Sequence, residues 1–183
     1  MPAGIFDRHR VIDVDSHLTE PPDVWTARVS ATWGDRIPHV ERLGDKDDWI
    51  AGGRPIGAPG AYSMAGFDGT IPEFPDTYAD IPASTFDAVA RQRHLDAEGL
   101  WAQVLYPNVG GFGAQGFLQL EEPALMLECV QAYNDFLIDW TRAAPDRLLP
   151  VMATPFWDVA AAVAEIERCA ARGHRAVLLC GEP

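Results

Sequence analysis

Four short apolar runs punctuate the chain: Val11 to Val14, Ala102 to Tyr106, Leu148 to Ala153 and Ala176 to Cys180. Each is continuous rather than alternating, the pattern of a strand covered on both faces in a parallel sheet. Pro150 lies inside the third run. Proline has no N–H to give a ladder, so that strand is expected to begin after it. Between the runs the apolar residues take a helical period. Ser84, with Asp87 three positions on, resembles a capping box, followed by Phe86, Val89 and Ala90 on one side and a stop at Gly99. A second helix is predicted from about Glu121 to Ala143, with a stripe of Met126, Val130, Tyr133, Leu137 and Trp140, ended by Pro145. A third starts from Asp158 as N-cap, presents Val159, Val163, Ile166 and Ala170, and stops at Gly173. Strands and helices alternate, which calls for a parallel α/β architecture with right-handed crossovers.

One connection breaks the rhythm. More than about sixty residues separate the first strand from Ser84, far beyond an ordinary loop. This insertion, residues 26–83, holds many of the chain's glycines and prolines, and DDWIAGGRPIGA within it predicts a small hairpin turning at Gly52-Gly53. Composition leaves open whether it caps one end of the sheet or forms an irregular flap.

The chain has 183 residues, 48% of them apolar, enough for one domain with a substantial core. With 27 acidic residues against 14 basic ones the formal net charge is -13, which repels nucleic-acid backbones and anionic lipid. No apolar run is long enough to span a bilayer, and MPAGIFDRHR lacks the apolar middle of a secretory signal. Cys129, Cys169 and Cys180 form no C-x-x-C pair; the first two fall on helical apolar faces, as buried thiols do. A cytoplasmic, reducing location is expected.

Candidate chemistry concentrates at the first strand. VIDVDSHLTEPPDVW places Asp13, Asp15 and His17 at every second position, so a regular strand projects all three to one face. Asp15 and His17 stand at the carboxyl end, where parallel α/β folds build sites. A carboxylate beside an imidazole suits a divalent ion: zinc first, manganese or iron as alternatives. A third protein ligand would have to come from elsewhere. The competing account is turn chemistry, with Asp15 or Ser16 capping backbone amides and His17 solvated. Glu20 reads either as a substrate-contacting acid or as a surface acid before two prolines. His9, His39, His94 and His174 read as structural or solvated. Tyr106 and Asn108 close the second strand, Trp157 follows the third, and Cys180-Gly181-Glu182 follows the fourth; such tips rim a pocket if one exists, and Glu20, Tyr106, Asn108 and Trp157 are the candidate substrate contacts. The glycine-rich NVGGFGAQG matches no dinucleotide fingerprint, and no nucleophile elbow or phosphate loop is present.

Three stretches in order, IDVDSHLTEP, RHLDAEGLWAQVLYPNVG and YNDFLIDWTRAAPDRLLPVMATPFWDVAAAVAEIERCAARGHRAVLL, resemble the amino-terminal half of the amidohydrolase-2 family, which includes aminocarboxymuconate-semialdehyde decarboxylase-like enzymes. The resemblance implies a metal-dependent (β/α)8 TIM barrel, of which residues 1–183 supply about the first four β/α units with a long insertion after strand 1. It implies that the family's D-x-H metal pair falls on Asp15 and His17, with the remaining ligands and catalytic groups beyond residue 183. It also implies a small-molecule substrate (an organic acid, amide or ester) that is hydrolysed or decarboxylated. The alternative is a non-catalytic half-barrel that persists by self-association or by pairing with another chain, since four strands leave edges and faces uncovered; a homo-oligomer is expected on either account.

Overall fold

The computed structural model describes residues 9–61, 63–70, 72–110 and 115–179. Strands β1 (Ile12–His17), β5 (Ala102–Tyr106), β6 (Leu148–Met152) and β7 (Ala176–Val177) form one parallel sheet in the order β1-β5-β6-β7. That sequential order is the one expected for successive β/α units of a parallel barrel. A separate antiparallel sheet, β2 (His39–Leu43), β3 (Lys46–Ala51) and β4 (Arg54–Gly57), lies within the insertion. Helices follow as α1 (Ala83–Phe86, a single turn), α2 (Ala88–Glu98), α3 (Pro123–Thr141) and α4 (Val159–Arg172).

The hairpin turns at Gly52 and Gly53, with φ of 58° and 74°. Two successive positive φ values suit a tight primed turn, and glycine takes them without steric cost. A Cβ on Gly52 would also stand 2.6 Å from the Gln119 carbonyl, so the turn seats directly on the segment before α3. Trp49 of β3 is fully buried and meets Trp25 edge-on at 5.0 Å; Trp25 meets Phe117 in the same way at 5.6 Å and donates from Nε1 to the Cys129 carbonyl of α3. The insertion is thus tied to the main core. Strand β2, HVERL, carries too little periodicity to have been predicted.

Helix α3 matches its expected stripe: Met126, Val130, Tyr133 and Leu137 are buried. Helices α2 and α4 do not match theirs. Helix α2 starts at Ala88, because Asp87 takes extended angles and accepts the Ala90 N–H at 2.7 Å, leaving Ser84 in the separate turn α1. Its buried residues are Arg91 and Leu95, while Val89 is 50% exposed. Helix α4 has the predicted Asp158 cap and left-handed Gly173, yet buries Glu165 and Cys169 and leaves Val159 78% exposed. Hydrophobicity fails as a guide here because polar networks occupy the inner faces. Glu165 accepts from Asn134, Arg168 and the Cys169 thiol. Asn134 in turn donates to the Ala153 carbonyl at 3.0 Å and accepts the Ala153 N–H at 2.8 Å, treating the end of β6 as a strand partner would.

Pro150 pairs inside β6 opposite Leu105, so the strand begins before it. Its carbonyl accepts from Arg175, and β7 begins only at Ala176, so the missing N–H interrupts no rung. The strands are not covered on both faces as their runs suggested. Ile12 and Val14 are 48% and 65% exposed, whereas Leu105 on the helix side is fully buried. Cys180 and the Gly181-Glu182 tip lie outside the described residues.

Replacing Asn134 by Ala takes these partners from the Ala153 N–H and carbonyl, and removes one of three donors from Glu165 Oε1. The expected loss is about 2–4 kcal/mol in urea unfolding. A loss below about 0.5 kcal/mol, the range of an ordinary surface change, would show that water replaces the amide there.

Candidate metal site

Register decides which way the first strand aims its acids. Ile12 pairs with Ala102, Asp13 with Gln103, Ser16 with Leu105 and His17 with Tyr106. Three steps along β1 span two along β5 between Asp13 and Ser16, so β1 carries one extra residue, a bulge. Side chains in register share a face, and the face alternates along each strand. Asp13 therefore shares the face of Gln103, while His17 shares that of Tyr106. Asp13 does not share a face with His17 as strict alternation required, although both border the same cavity. Its Oδ2 accepts from Gln103 Nε2 at 3.0 Å, and Gln103 accepts from buried Arg91 of α2 at 3.0 Å. Asp13 Oδ1 accepts the Asp15 N–H at 3.1 Å, which stabilises the bulge.

Asp15 and His17 remain together. Asp15 Oδ1 lies 3.8 Å from His17 Nε2, with the carboxylate largely in solvent and the imidazole 20% exposed. Burial holds the His17 imidazole below its usual pKa, partly offset by the Asp15 charge and by the Tyr106 and Pro107 carbonyls as acceptors. The neutral ring, the form that binds metals, is thereby favoured near neutral pH. Both side chains open on a cavity of about 660 Å3 along the free edge of β1, whose wall includes Ser63, Phe67, His94 and Glu98. His94 and Glu98 sit one helical turn apart on α2. Sequence reading set His94 aside, although that i, i+4 spacing was the available signal. Among the described residues no group of three or more His, Cys, Asp or Glu is arranged to hold a metal.

None of the four candidate substrate contacts lines this cavity. Tyr106 comes nearest, its half-buried ring tilted at 6.1 Å from that of His17. Asn108 is occupied, donating from Nδ2 to the Leu18 carbonyl at 2.6 Å. Trp157 packs edge-on against Phe156 at 5.4 Å and borders the core. Glu20 is 1% exposed, and its Oε1 accepts the N–H groups of Asn108 and Val109 at 3.2 and 3.1 Å. It ties the end of β1 to the end of β5 from inside the protein. Burial pushes its carboxyl up to about 7, and its Oε2 has no hydrogen-bond partner among the described residues.

The comparisons meet this geometry at the level of fold. The chain matches an amidohydrolase from Mycobacterium avium subsp. paratuberculosis K-10 with a TM-score of 0.72 at 21% identity, over 92% of this chain and 49% of that one. It also matches a 2,6-dihydroxybenzoate decarboxylase from Rhizobium with a TM-score of 0.54 at 17% identity, over 94% of this chain and 39% of that one. No protein-family model matches the chain, and no curated protein matches it. The fold is that of part of a TIM barrel, and the chain spans about half the length of the first of these structures. No helix among the described residues is long and apolar enough to cross a membrane.

The buried carboxyl gives a pH prediction. Folding raises the Glu20 pKa from 4.5 to about 7, so its protonated form favours the fold. That contribution is fully present below the unfolded value and lost as pH rises through about 7. A shift of this size corresponds to about 3 kcal/mol. Glu20→Gln keeps an acceptor for both amides and cannot ionise. Its stability advantage over the wild type in urea is expected to grow by that order between about pH 5 and about pH 8. A constant difference across that range would mean that Glu20 ionises in place at no cost.

Proposed function

We propose that the chain contributes the first-strand ligands, Asp15 and His17, to a divalent metal centre in an amidohydrolase-2-type enzyme, a hydrolase or decarboxylase of a small organic acid, amide or ester. The observation that carries the reading is the carboxylate–imidazole pair on one face at the carboxyl end of β1, 3.8 Å apart and open to a cavity. A tetrahedral ion with bonds of ~2.1 Å spaces its ligand atoms about 3.4 Å apart, so a small torsion of the exposed Asp15 side chain completes the bite. Oxygen and nitrogen donors suit zinc, with manganese and iron as alternatives. Such an ion would act as a Lewis acid on a substrate oxygen or on a water. The chain's own part is to present a neutral His17, keep Asp15 solvent-facing, and wall the cavity with the 63–67 segment and α2. About 660 Å3 is within the range of small-molecule sites, and the charge of -13 opposes nucleic acid as a partner. The buried free thiols Cys129 and Cys169 accord with a reducing cytoplasm.

Isothermal titration with Zn2+ or Mn2+ tests this. One ion per chain is expected, with affinity at least roughly tenfold weaker after Asp15→Asn or His17→Asn, and lost in the double variant. Unchanged stoichiometry and affinity in the double variant would remove both residues from the site.

The exposure of Ile12 and Val14 favours a second reading, that this face is covered by self-association. Light scattering is then expected to show a dimer that Val14→Lys converts to monomer. A monomer for the wild type at micromolar concentration rejects it.

A further inference from the structure

Arg91 is a fully buried guanidinium that makes no ion pair among the described residues; burial pushes its pKa down to about 10, partly offset by the Asp13 charge, which leaves it charged at neutral pH. Placing such a cation inside a protein is costly unless its donors are satisfied. Here they are met by neutral acceptors at one end of the sheet. Nε donates to the Ser84 carbonyl, Nη1 to Gln103 Oε1 at 3.0 Å, and Nη2 to the Thr85 carbonyl at 3.4 Å and to the His17 carbonyl at 2.9 Å. The Ser63 hydroxyl donates to that same His17 carbonyl at 3.1 Å and lies 3.5 Å from Nη2. Two donors from different parts of the chain, helix α2 and the insertion, thus converge on the backbone of one residue.

The residue they hold is the last of β1, where the chain leaves its ladder with β5 and no further rung sets the peptide plane. Fixing its carbonyl fixes the plane after the His17 Cα, and with it the direction of the imidazole. The rigid fork of a guanidinium suits this task, because its donors keep fixed relative angles that an ammonium cannot reproduce. Through Gln103 the same guanidinium holds Asp13, and Asp13 accepts the Asp15 N–H. One buried cation therefore braces the backbone of both proposed ligands. Ser63 adds the insertion to the brace, and the adjoining Ala65 carbonyl is held by the Ser84 hydroxyl.

We infer that Arg91 and Ser63 are positioning residues for His17, and that through Ser63 the 63–67 segment of the insertion is coupled to occupancy of the Asp15–His17 site. This rests on the metal reading above for its second half and on apo geometry for its first. Coupling is reciprocal: if Ser63 helps orient His17 for an ion, the ion must hold Ser63 and its segment more tightly in return.

The test uses the whole chain in three forms: wild type, Ser63→Ala and Arg91→Lys. In apo protein with 15N-labelled histidine, the His17 imidazole resonances, assigned by their loss in His17→Asn, are expected to move in both variants while those of His39 stay in place. Mn2+ affinity is expected to fall roughly tenfold in Arg91→Lys and severalfold in Ser63→Ala, with Asp15 and His17 intact. Hydrogen exchange of residues 63–67 is expected to slow on Mn2+ addition in the wild type and not in Ser63→Ala. Should Arg91→Lys fail to fold, Ser63→Ala carries the test alone, since it removes one hydroxyl and leaves the guanidinium in place. Unchanged His17 resonances together with unchanged affinity in Ser63→Ala overturn the inference. So does metal binding that leaves exchange at 63–67 unaltered. If the wild type binds no Mn2+, the metal reading fails, and the brace is then judged by the apo resonances alone.

Discussion

A single extra residue in β1 governs everything that happens at its carboxyl end. Had β1 paired with β5 without a bulge, Asp13, Asp15 and His17 would share one face, and three polar groups would compete for the same space. The inserted residue puts Asp13 on the face of Gln103 and His17 on that of Tyr106, while Asp13, Asp15 and His17 all border one cavity. A bulge breaks ladder bonds locally, so something must hold it. Asp13 does so by accepting the Asp15 N–H, and it can remain inward because Gln103 and Arg91 receive it.

The same chain of contacts explains why α2 and α4 bury polar side chains. An apolar α2 would take the guanidinium donors from the carbonyls of His17, Ser84 and Thr85 and from Gln103 Oε1, leaving His17 and Thr85 only their second donors, the Ser63 hydroxyl and the Thr19 N–H. Each such buried group costs about 1–3 kcal/mol if unmet. One arginine meets them together. At α4, Glu165 serves the amide of Asn134, and that amide closes the end of β6. Arg168 keeps the Glu165 carboxyl below its usual pKa, so it stays an acceptor despite burial. These helices are held by polar convergence where α3 is held by hydrophobic contact.

That division marks what could be read from the residues alone. Wherever the hydrophobic effect dominates, periodicity was sufficient: the four parallel strands, the stripe of α3, the Asp158 and Gly173 caps and the Gly52-Gly53 turn all stand in the letters. Sequence pattern misjudged the inward faces of α2 and α4, because an Arg or Glu at a helical position looks like solvent-facing charge until its partners are known. It missed the bulge for a related reason. A bulge is a property of two strands in register, and nothing within VIDVDSH reveals that Val14-Asp15 takes one step more than its neighbour. Glu20 was legible as an acid in an odd place, though its burial depends on amides at residues 108 and 109 that are remote in sequence.

On the proposed metal reading, the bulge favours Asp15 over Asp13 as the ligand. In D-x-D-x-H both acids look equivalent, and an ion might be bound by either. Asp13 is committed, with one oxygen on Gln103 and the other on a backbone amide, so offering it to a metal would unpair Gln103 and release the bulge. Asp15 makes no comparable commitment: its side chain is 81% exposed, and it lies 3.8 Å from His17 Nε2. A ligand should be free to turn without breaking the fold, while its backbone should not move at all. Asp15 meets the first condition, and Asp13, Gln103 and Arg91 meet the second for Asp15 and His17 alike.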